Sequence, residues 1–455
     1  MTSSGVAAQT VIVSALLGGG ALAVLVRHLQ RTRPELTIGI PLAIGFGLRL
    51  VAIAGVASTG LQASLRGGDE TTFLTYARLL ADSPFGQGYI PDGPEYPLHT
   101  VVFALQIKVG GFSEGALRVT QVAIALMGIA LILAAVYDLA GPRAARVGAW
   151  VLAFEPASIF FNSALHKEPL MVLASGLMVY GGTKVWQRLD YSGIPIMLLA
   201  GFIAVETRPY AGWFLTSAGV IVILQASLRR MDRPLKAMPL VYAVVIVAFL
   251  TVPAILQETS TTKLASLQQS QNANTNQDAK AQSSGANQNN LALERVDYST
   301  RGSVIANLPQ RMYDVVFKPY PWQVSNASQQ LGAAGSLFAM GGLILLIQAA
   351  WRRRGRVLAV AGPLLYPALF LLIAYSLSAG NAGTGFRYRT HLVALGLVAM
   401  VALREYVAER RIATETAGHA PDRIHAPQPA RLDTVAHPGA AGRLGALPLN
   451  PDARQ

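Results

Sequence analysis

The chain contains no cysteine, and few of its residues carry a charge. Without cysteine, disulfides, thiol nucleophiles and cysteine-ligated metal sites are all excluded. Only 13% of the 455 residues are Asp, Glu, Lys or Arg, whereas 52% are hydrophobic and the mean hydropathy is +0.40. A soluble multidomain enzyme carries more charge than this. The composition therefore predicts a polytopic membrane protein.

Signatures of nucleotide and nucleic-acid binding are also missing. The sequence has no phosphate-cradling glycine loop and no dinucleotide fingerprint. The net charge is +13, but the basic residues fall in short clusters between apolar spans and are not interleaved with aromatic residues. Such clusters set membrane topology. We therefore exclude nucleic acid as a partner, and a soluble nucleotide-sugar is disfavoured as a donor.

Long apolar runs predict an all-α membrane helix bundle of about eleven transmembrane helices. No basic segment precedes the first run and no clear cleavage site follows it, so we interpret that run as a retained helix. The amphipathic stretch 98–112 is predicted to lie at the membrane interface rather than to cross. The predicted spans are 10–26, 37–62, 117–139, 147–163, 169–183, 192–206, 210–227, 238–256, 334–350, 357–378 and 389–408.

Basic residues cluster in alternate loops, and this pattern predicts on which side of the membrane each loop lies. Fifteen Lys and Arg residues occur in five of these loops, whereas the short loops between them hold few. Cytoplasmic loops are enriched in Lys and Arg. An odd number of spans then places the N-terminus outside and the tail inside. The five basic loops are 27–33, 143–146, 184–188, 229–236 and 352–356.

The predicted spans and loops divide the chain into five segments. Residues 1–36 form an extra N-terminal helix and a basic loop, and 37–256 form the membrane core with an acidic outer loop, 63–116. Residues 257–333 form a long outer loop that is rich in Gln and Asn, and we expect disorder at about 265–290. Residues 334–408 form the C-terminal helices, and 409–455 form a disordered cytoplasmic tail.

The unusual polar residues all fall on the predicted outer side. Asp69 and Glu70 stand together in the first large outer loop, where a carboxylate pair can serve as a general base or a cation ligand. A helix N-terminus that favours acids is the plainer alternative. Four other outer segments hold further candidates: His166, Lys167, Glu168, Arg208, Tyr210, Lys318, Trp322, Asn381, Arg387 and Arg389.

These side chains suit a lipid-linked phosphate at the membrane surface. Arginine binds phosphate through a planar fork and lysine as a point charge. The aromatic rings can face a sugar, although an interfacial aromatic belt explains them as well, and charges at span ends can simply snorkel. Asp69 and Glu70 could hold Mg²⁺ or Mn²⁺, but no spacing specifies a metal. Together the residues favour sugar transfer from a polyprenyl-phosphate carrier to an outer acceptor.

Asp69-Glu70, followed by Tyr76-Ala77 and then by Pro91, Pro94 and Pro97, resembles the first outer loop of the GT-C membrane glycosyltransferases. This group includes protein O-mannosyltransferases and lipid A aminoarabinose transferases. The resemblance covers roughly residues 37–220. It implies an inverting transfer with Asp69 as base, Glu70 as its partner and Arg208, Arg387 or Lys167 as carrier-phosphate ligands. The acceptor would be a glycan, lipid or protein of the cell envelope, and Tyr76 joins the expected substrate site.

The chain departs from that group in three respects. An extra span precedes the acidic loop, no large soluble domain follows the last span, and the motif from Asn381 to Arg389 has no counterpart that we can assign. A polysaccharide polymerase or ligase remains an alternative, since it needs outer cations but no acidic pair. A transporter or a non-catalytic assembly protein is another. Transporters show repeats and mid-membrane charges, and Arg49 is the obvious charge within a span.

Overall fold

The computed structural model describes residues 3–58, 68–83, 97–232, 234–260, 262–269, 272–273, 297–318, 320, 322, 327–379 and 382–418. In these ranges the chain is helical and contains no strand, as the sequence predicts. The contacts divide the chain into two units, residues 1–409 and 410–455. In the second unit the described residues, 410–418, are helical, although we expected disorder from 409 onward.

Fourteen helices account for most of the described part of the chain, and a further helical stretch lies at 262–269. This short stretch falls where the sequence predicts the start of disorder. The helices are α1 (Ser3–Thr32), α2 (Gly39–Ser58), α3 (Gly68–Asp82), α4 (Pro97–Gly110), α5 (Glu114–Phe154), α6 (Pro156–Phe161), α7 (Glu168–Arg188), α8 (Gly193–Thr207), α9 (Pro209–Leu228), α10 (Pro234–Glu258), α11 (Arg301–Phe317), α12 (Ala327–Arg353), α13 (Val357–Ser378) and α14 (Ala382–Gly418).

Within the described residues, six helical stretches are long and apolar enough to cross a membrane. Two of them each join a pair of predicted spans. In α5 the join is a kink at Gly141, where φ is 89°, and the short 3-10 turn Arg354–Arg356 joins α12 to α13. The 15-residue α8 is shorter than the roughly 20 residues that a straight span needs. The predicted count of about eleven is therefore not confirmed.

Helices α5 and α7 form the centre of the bundle. Their backbones approach closely where glycine faces glycine: a Cβ added at Gly176 would lie 2.3 Å from the carbonyl oxygen of Gly128. Small residues allow such close packing between membrane helices. At a rise of about 1.5 Å per residue, α7 begins about 12 Å and α5 about 21 Å from this contact. The contact therefore holds the polar first turns of α5 and α7 in a fixed relation.

The five basic loops meet at one end of the bundle, which we call the basic end. Arg33 donates to Asp138 at 2.8 Å, and Arg146 donates to Thr37 at 2.7 Å. The indole of Trp186 donates to the carbonyl oxygen of Ala359 at 3.0 Å. Arg229 lies over the Trp186 ring at 4.3 Å. The side chain of Gln187 also donates to the carbonyl oxygen of Asp138, which links the loops at 184–188, 229–236 and 352–356 to those at 27–33 and 143–146.

Arg49, the charge within a predicted span, is fully buried and binds protein groups. Its guanidinium donates to the carbonyl oxygen of Gly45 at 2.8 Å and to the hydroxyl of Ser158 at 2.7 Å. The hydroxyl of Ser163 in turn donates to the carbonyl oxygen of Arg49 at 3.4 Å. Arg49 therefore joins α2 to the segment that follows α5, and these contacts give it a structural role.

Candidate functional site

The acidic pair lies in the first turn of helix α3, which begins at Gly68. The side chain of Asp69 lies outside the described residues, but the side chain of Glu70 is 1% exposed. One carboxylate oxygen of Glu70 accepts the backbone N–H of Leu165 at 2.8 Å, and the other accepts Nη2 of Arg118 at 2.9 Å. Glu70 therefore joins the start of α3 to the start of α5 and to the turn before α7.

Arg118 is a site residue that the sequence analysis missed. Its Nη2 atom also donates to Glu114 at 2.9 Å, and its Nη1 atom donates to the carbonyl oxygen of Ser163 at 3.2 Å. Arg118 thus bridges two carboxylates that are far apart in sequence. The spacing of Glu114 and Arg118, four residues apart at the start of an apolar helix, was the available signal.

A cavity of about 220 Å³ opens beside this ion-pair cluster. Its polar wall contains Glu70, Glu114 and Arg118. Its apolar wall comes from the last turns of α2, at Ala52, Ile53, Val56 and Ala57, together with Phe160. The cavity therefore places charged groups beside an apolar helix face, which suits a ligand with a polar head and a hydrocarbon part.

The turn that precedes α7 packs against helices α3 and α4. His99 donates from Nε2 to the carbonyl oxygen of His166 at 2.8 Å. The ring of Phe73 lies edge-on to His99 at 4.9 Å, and the ammonium of Lys167 lies 4.9 Å from the Phe73 ring centre. His99 is fully buried and was not predicted from the sequence. These contacts fix the positions of His166 and Lys167.

Three arginines from distant parts of the chain act on the pKa of His166. Burial, followed by the charges of Arg387, Arg118 and Arg208, lowers the pKa of His166 well below its usual value. The imidazole also lies near Glu70, with 3.9 Å between Nε2 and a carboxylate oxygen. His166 is therefore neutral near pH 7. The predicted candidates Arg208, Arg387, His166 and Glu70 thus belong to one region of the fold.

A second cluster joins the starts of α7, α9 and α14. Arg208 forms an ion pair with the fully buried carboxylate of Glu168, and donates to the hydroxyl of Tyr210 at 3.2 Å. The hydroxyls of Tyr210 and Tyr388 are 3.0 Å apart, and the Arg208 guanidinium lies 4.5 Å from the Tyr388 ring centre. Tyr375 stacks on Tyr388 at 4.2 Å and hydrogen-bonds His391. The sequence did not predict Tyr375 or His391.

Arg389 and Lys318 bind protein groups in this structure. Arg389 is 2% exposed, and donates to the carbonyl oxygens of Val315 and Lys318 and to the hydroxyl of Ser336. Lys318 pairs with Asp314 at 3.2 Å. The predicted role of these two residues in substrate binding gains no support from these contacts, because their polar groups hold the end of α11.

Tyr76, Trp322 and Asn381 are the remaining predicted site residues. Tyr76 is half-buried in α3, and Trp322 is 79% exposed and stacks on Tyr320 at 4.9 Å. Asn381 lies outside the described residues. Among the residues whose positions are described, no group of three or more His, Asp or Glu side chains could hold a metal ion. The metal prediction at Asp69 and Glu70 depends on the Asp69 side chain, which is not described.

Comparison with known proteins identifies no relative. No protein-family model, no curated protein and no solved structure matches this chain significantly. The resemblance to the GT-C group therefore rests on the residues of the chain itself. For brevity we call the region formed by Glu70, Arg118, His166, Glu168, Arg208 and Tyr388 the polar end of the bundle.

Proposed function

We propose that this chain is a membrane glycosyltransferase of the GT-C type. It would transfer a sugar from a polyprenyl-phosphate-linked donor to a glycan, lipid or protein of the cell envelope. The reaction would take place at the extracytoplasmic face of the plasma membrane. The supporting observation is that Glu70, in the first turn of the helix that carries the acidic pair, is buried against Arg118 and lies 3.9 Å from the imidazole of His166.

The residues at and next to the polar end have separate roles in the proposed reaction. In this proposal Asp69 accepts the proton of the acceptor hydroxyl, whose oxygen then attacks the anomeric carbon of the sugar. The bond between that carbon and the phosphate oxygen breaks, and the carrier phosphate leaves with the bonding electrons. Arg208, Arg387 and Lys167 stabilise the negative charge on the phosphate. Glu70 acts as a positioning residue, because Arg118 and Leu165 bind its two oxygens.

The decisive test is Asp69→Asn, which keeps the shape of the side chain and removes the proton acceptor. Transfer from a radiolabelled polyprenyl-phosphate sugar in proteoliposomes should fall about 10²–10⁴-fold, as is typical when a general base is lost. Binding of the carrier should persist. The matched control is Asp82→Asn, at the other end of α3, which should keep full activity. Unchanged transfer in the Asp69→Asn variant would refute the proposed base.

A polysaccharide polymerase or ligase is the second candidate. The observation in its favour is that Glu70 and Glu168 are both buried in ion pairs with arginine, so they are held as structural partners. Such an enzyme would depend on the cations and not on Asp69. Full transfer by the Asp69→Asn, Glu70→Gln double variant, together with loss of activity in Arg387→Gln, would favour this second function.

A further inference from the structure

An apolar cavity of about 240 Å³ lies between helices α12, α13 and α14. All of the residues that line it are apolar, among them Leu346 of α12, Leu369 of α13 and Gly396 of α14. A Cβ added at Gly396 would meet no atom within 4 Å, and Leu369 is 46% exposed, so the cavity opens on the surface of the bundle. Because α12 and α13 belong to the candidate span Ala333–Ser378, that surface faces hydrocarbon. Cavities lined only by apolar groups stay dry and bind apolar molecules.

The stripe of α12 that lines this cavity leads to an arginine at the basic end. Gly342 and Leu346 lie on the stripe, and Arg353 continues it two helical turns beyond Leu346. The Arg353 guanidinium lies 5.9 Å from the ring centre of Tyr406 in α14. Its Nε atom is buried and has no hydrogen-bond partner in the described part of the chain. The cavity therefore has, on its basic-end side, a cation with an unused donor.

The turn between α12 and α13 concentrates positive charge around Arg353. It also contains Arg352, Arg354 and Arg356, all three exposed. The Arg354 guanidinium lies 4.4 Å from the ring centre of Trp351, which is 67% exposed, and tryptophan is enriched where membrane meets water. Three other cations of the basic end pair with carboxylates, but within the described residues none of these four arginines does. The turn therefore offers positive charge to an anion from outside the chain.

The depth of the cavity below this turn matches one leaflet of a bilayer. Arg353 follows Leu346 by seven residues and Gly342 by eleven, which at a rise of about 1.5 Å per residue is about 10–16 Å. Half of the hydrocarbon core of a bilayer is about 15 Å thick. A lipid whose phosphate contacts Arg353 would therefore bring its acyl chain to the cavity.

We propose that this region binds an anionic phospholipid of the leaflet at the basic end, with its phosphate at Arg353 and the neighbouring arginines and one acyl chain in the cavity. Four cations next to the end of a span attract anionic lipid, and the apolar lining fits a hydrocarbon chain. The bound chain would fill the space between α12, α13 and α14. The site lies at the opposite end of the bundle from Glu70 and Arg118, and the inference does not rest on the proposed transferase activity.

The headgroup is tested by titrating the purified protein in detergent with dioleoyl-phosphatidylglycerol or, separately, with dioleoyl-phosphatidylcholine, and counting bound lipids by native mass spectrometry. The wild type should bind one phosphatidylglycerol in preference to phosphatidylcholine. Arg353→Gln should weaken binding of phosphatidylglycerol about fivefold, as expected for one cation at an anionic surface, and leave binding of phosphatidylcholine unchanged. Arg353→Lys should keep most of the preference. Arg188→Gln, at an exposed position of another basic loop, is the matched control and should have no effect.

The acyl chain is tested by filling the cavity. Gly396→Leu places a side chain in the open space and should weaken binding of both lipids. Gly341→Leu is the matched control, because Gly341 is exposed on α12, lies outside the cavity lining and has no atom within 4 Å of an added Cβ. Ala368→Leu fills the same cavity from α13 and replaces Gly396→Leu if that variant does not fold.

Four results would overturn the proposal. Equal binding of the two lipids by the wild type would remove the headgroup site. Equal losses in Arg353→Gln and Arg188→Gln would show a diffuse attraction to the basic end. Unchanged binding in the variants that fill the cavity would leave it without an acyl chain. Displacement of phosphatidylglycerol by undecaprenyl phosphate, with binding of the latter unaffected by Arg353→Gln, would assign the cavity to a lipid of the other leaflet.

Discussion

The two ends of the bundle use the same residue type in opposite ways. At the basic end most arginines of the five loops are exposed, among them Arg143, Arg188 and Arg229. At the polar end Arg118 and Arg208 are 8% and 7% exposed, and each is paired with a buried carboxylate. A charge that only sets topology can stay in solvent. A charge removed from solvent must have a partner, because burial without one is costly.

Exposed arginines and buried ion pairs also indicate different properties of the protein. Exposed arginines in alternate loops indicate orientation, and they would do so in any polytopic protein. Buried ion pairs between distant segments, such as Glu70 with Arg118, bring α3, α5 and the turn before α7 together. Buried charge at one end therefore marks the candidate site, whereas exposed charge at the other marks the candidate cytoplasmic face. Four experiments test this contrast.

The largest expected effect is an all-or-none difference in labelling. Thr75 at the polar end and Arg229 at the basic end are both exposed. In intact cells, a membrane-impermeant maleimide should label Thr75→Cys, and it should label Arg229→Cys only after permeabilisation. The reverse pattern would invert the topology and place the proposed site in the cytoplasm. Labelling of both from outside would mean that the two ends do not lie on opposite sides.

Breaking the buried ion pair between Arg208 and Glu168 should cost about 3–5 kcal/mol of unfolding free energy, because Arg208→Ala leaves a buried carboxylate without its partner. The measurement is unfolding in mixed micelles with increasing denaturing detergent. The control is Arg229→Ala at the basic end, which should cost only about 0.5–1 kcal/mol, because it removes an exposed cation–π contact with Trp186. Equal effects in the two variants would remove the contrast between the ends.

Acidification should destabilise the polar end through its buried histidines. Burial, followed by the charge of Lys167, lowers the pKa of His99 to about 3, and the pKa of His166 is also lowered. Below the ordinary histidine value of 6.5 the unfolded chain binds more protons than the folded chain, so stability falls as pH drops. Each histidine should contribute a slope of about 1.4 kcal/mol per pH unit.

The variant that checks this pH dependence is His99→Gln, whose amide can still donate to the carbonyl oxygen of His166. Unfolding of this variant should take up about one proton fewer. The slope of its unfolding free energy against pH, between pH 6 and pH 4.5, should therefore be lower by about 1.4 kcal/mol per pH unit. His28→Gln, at an exposed position of the basic end, is the control. An identical slope in wild type and His99→Gln would show that His99 does not stay neutral in the folded protein.

The smallest effect is expected for the ion pair of the basic end. Arg143 and Glu405 approach to 2.8 Å, but the side chain of Arg143 is 59% exposed. A double-mutant cycle with Arg143→Ala and Glu405→Ala should give a coupling energy of about 0.2–1 kcal/mol, reduced further by salt. A coupling near that of the Arg208 pair would show that exposure does not separate the two ends energetically.

The sequence analysis found most of the segments that form the polar end, but it missed several of the residues that make its contacts. The acidic pair, the turn at His166 and the motif at Arg208 were all found, because charges next to apolar spans stand out. Arg118 and Tyr375 were missed, since an Arg in the first turn of an apolar helix and a Tyr within one are both common membrane-surface features. Arg389 was expected to bind substrate, yet its contacts are with the end of α11.

The sequence by itself determined the helical membrane class and the separation of basic loops from mixed polar turns, because hydropathy and Lys/Arg bias act locally along the chain. Only the tertiary structure decided which charges meet. Glu70 meets Arg118, and Arg208 meets Tyr388, between segments that are far apart in sequence. The period of a helix shows which side of it is apolar, but not which neighbour that side will face.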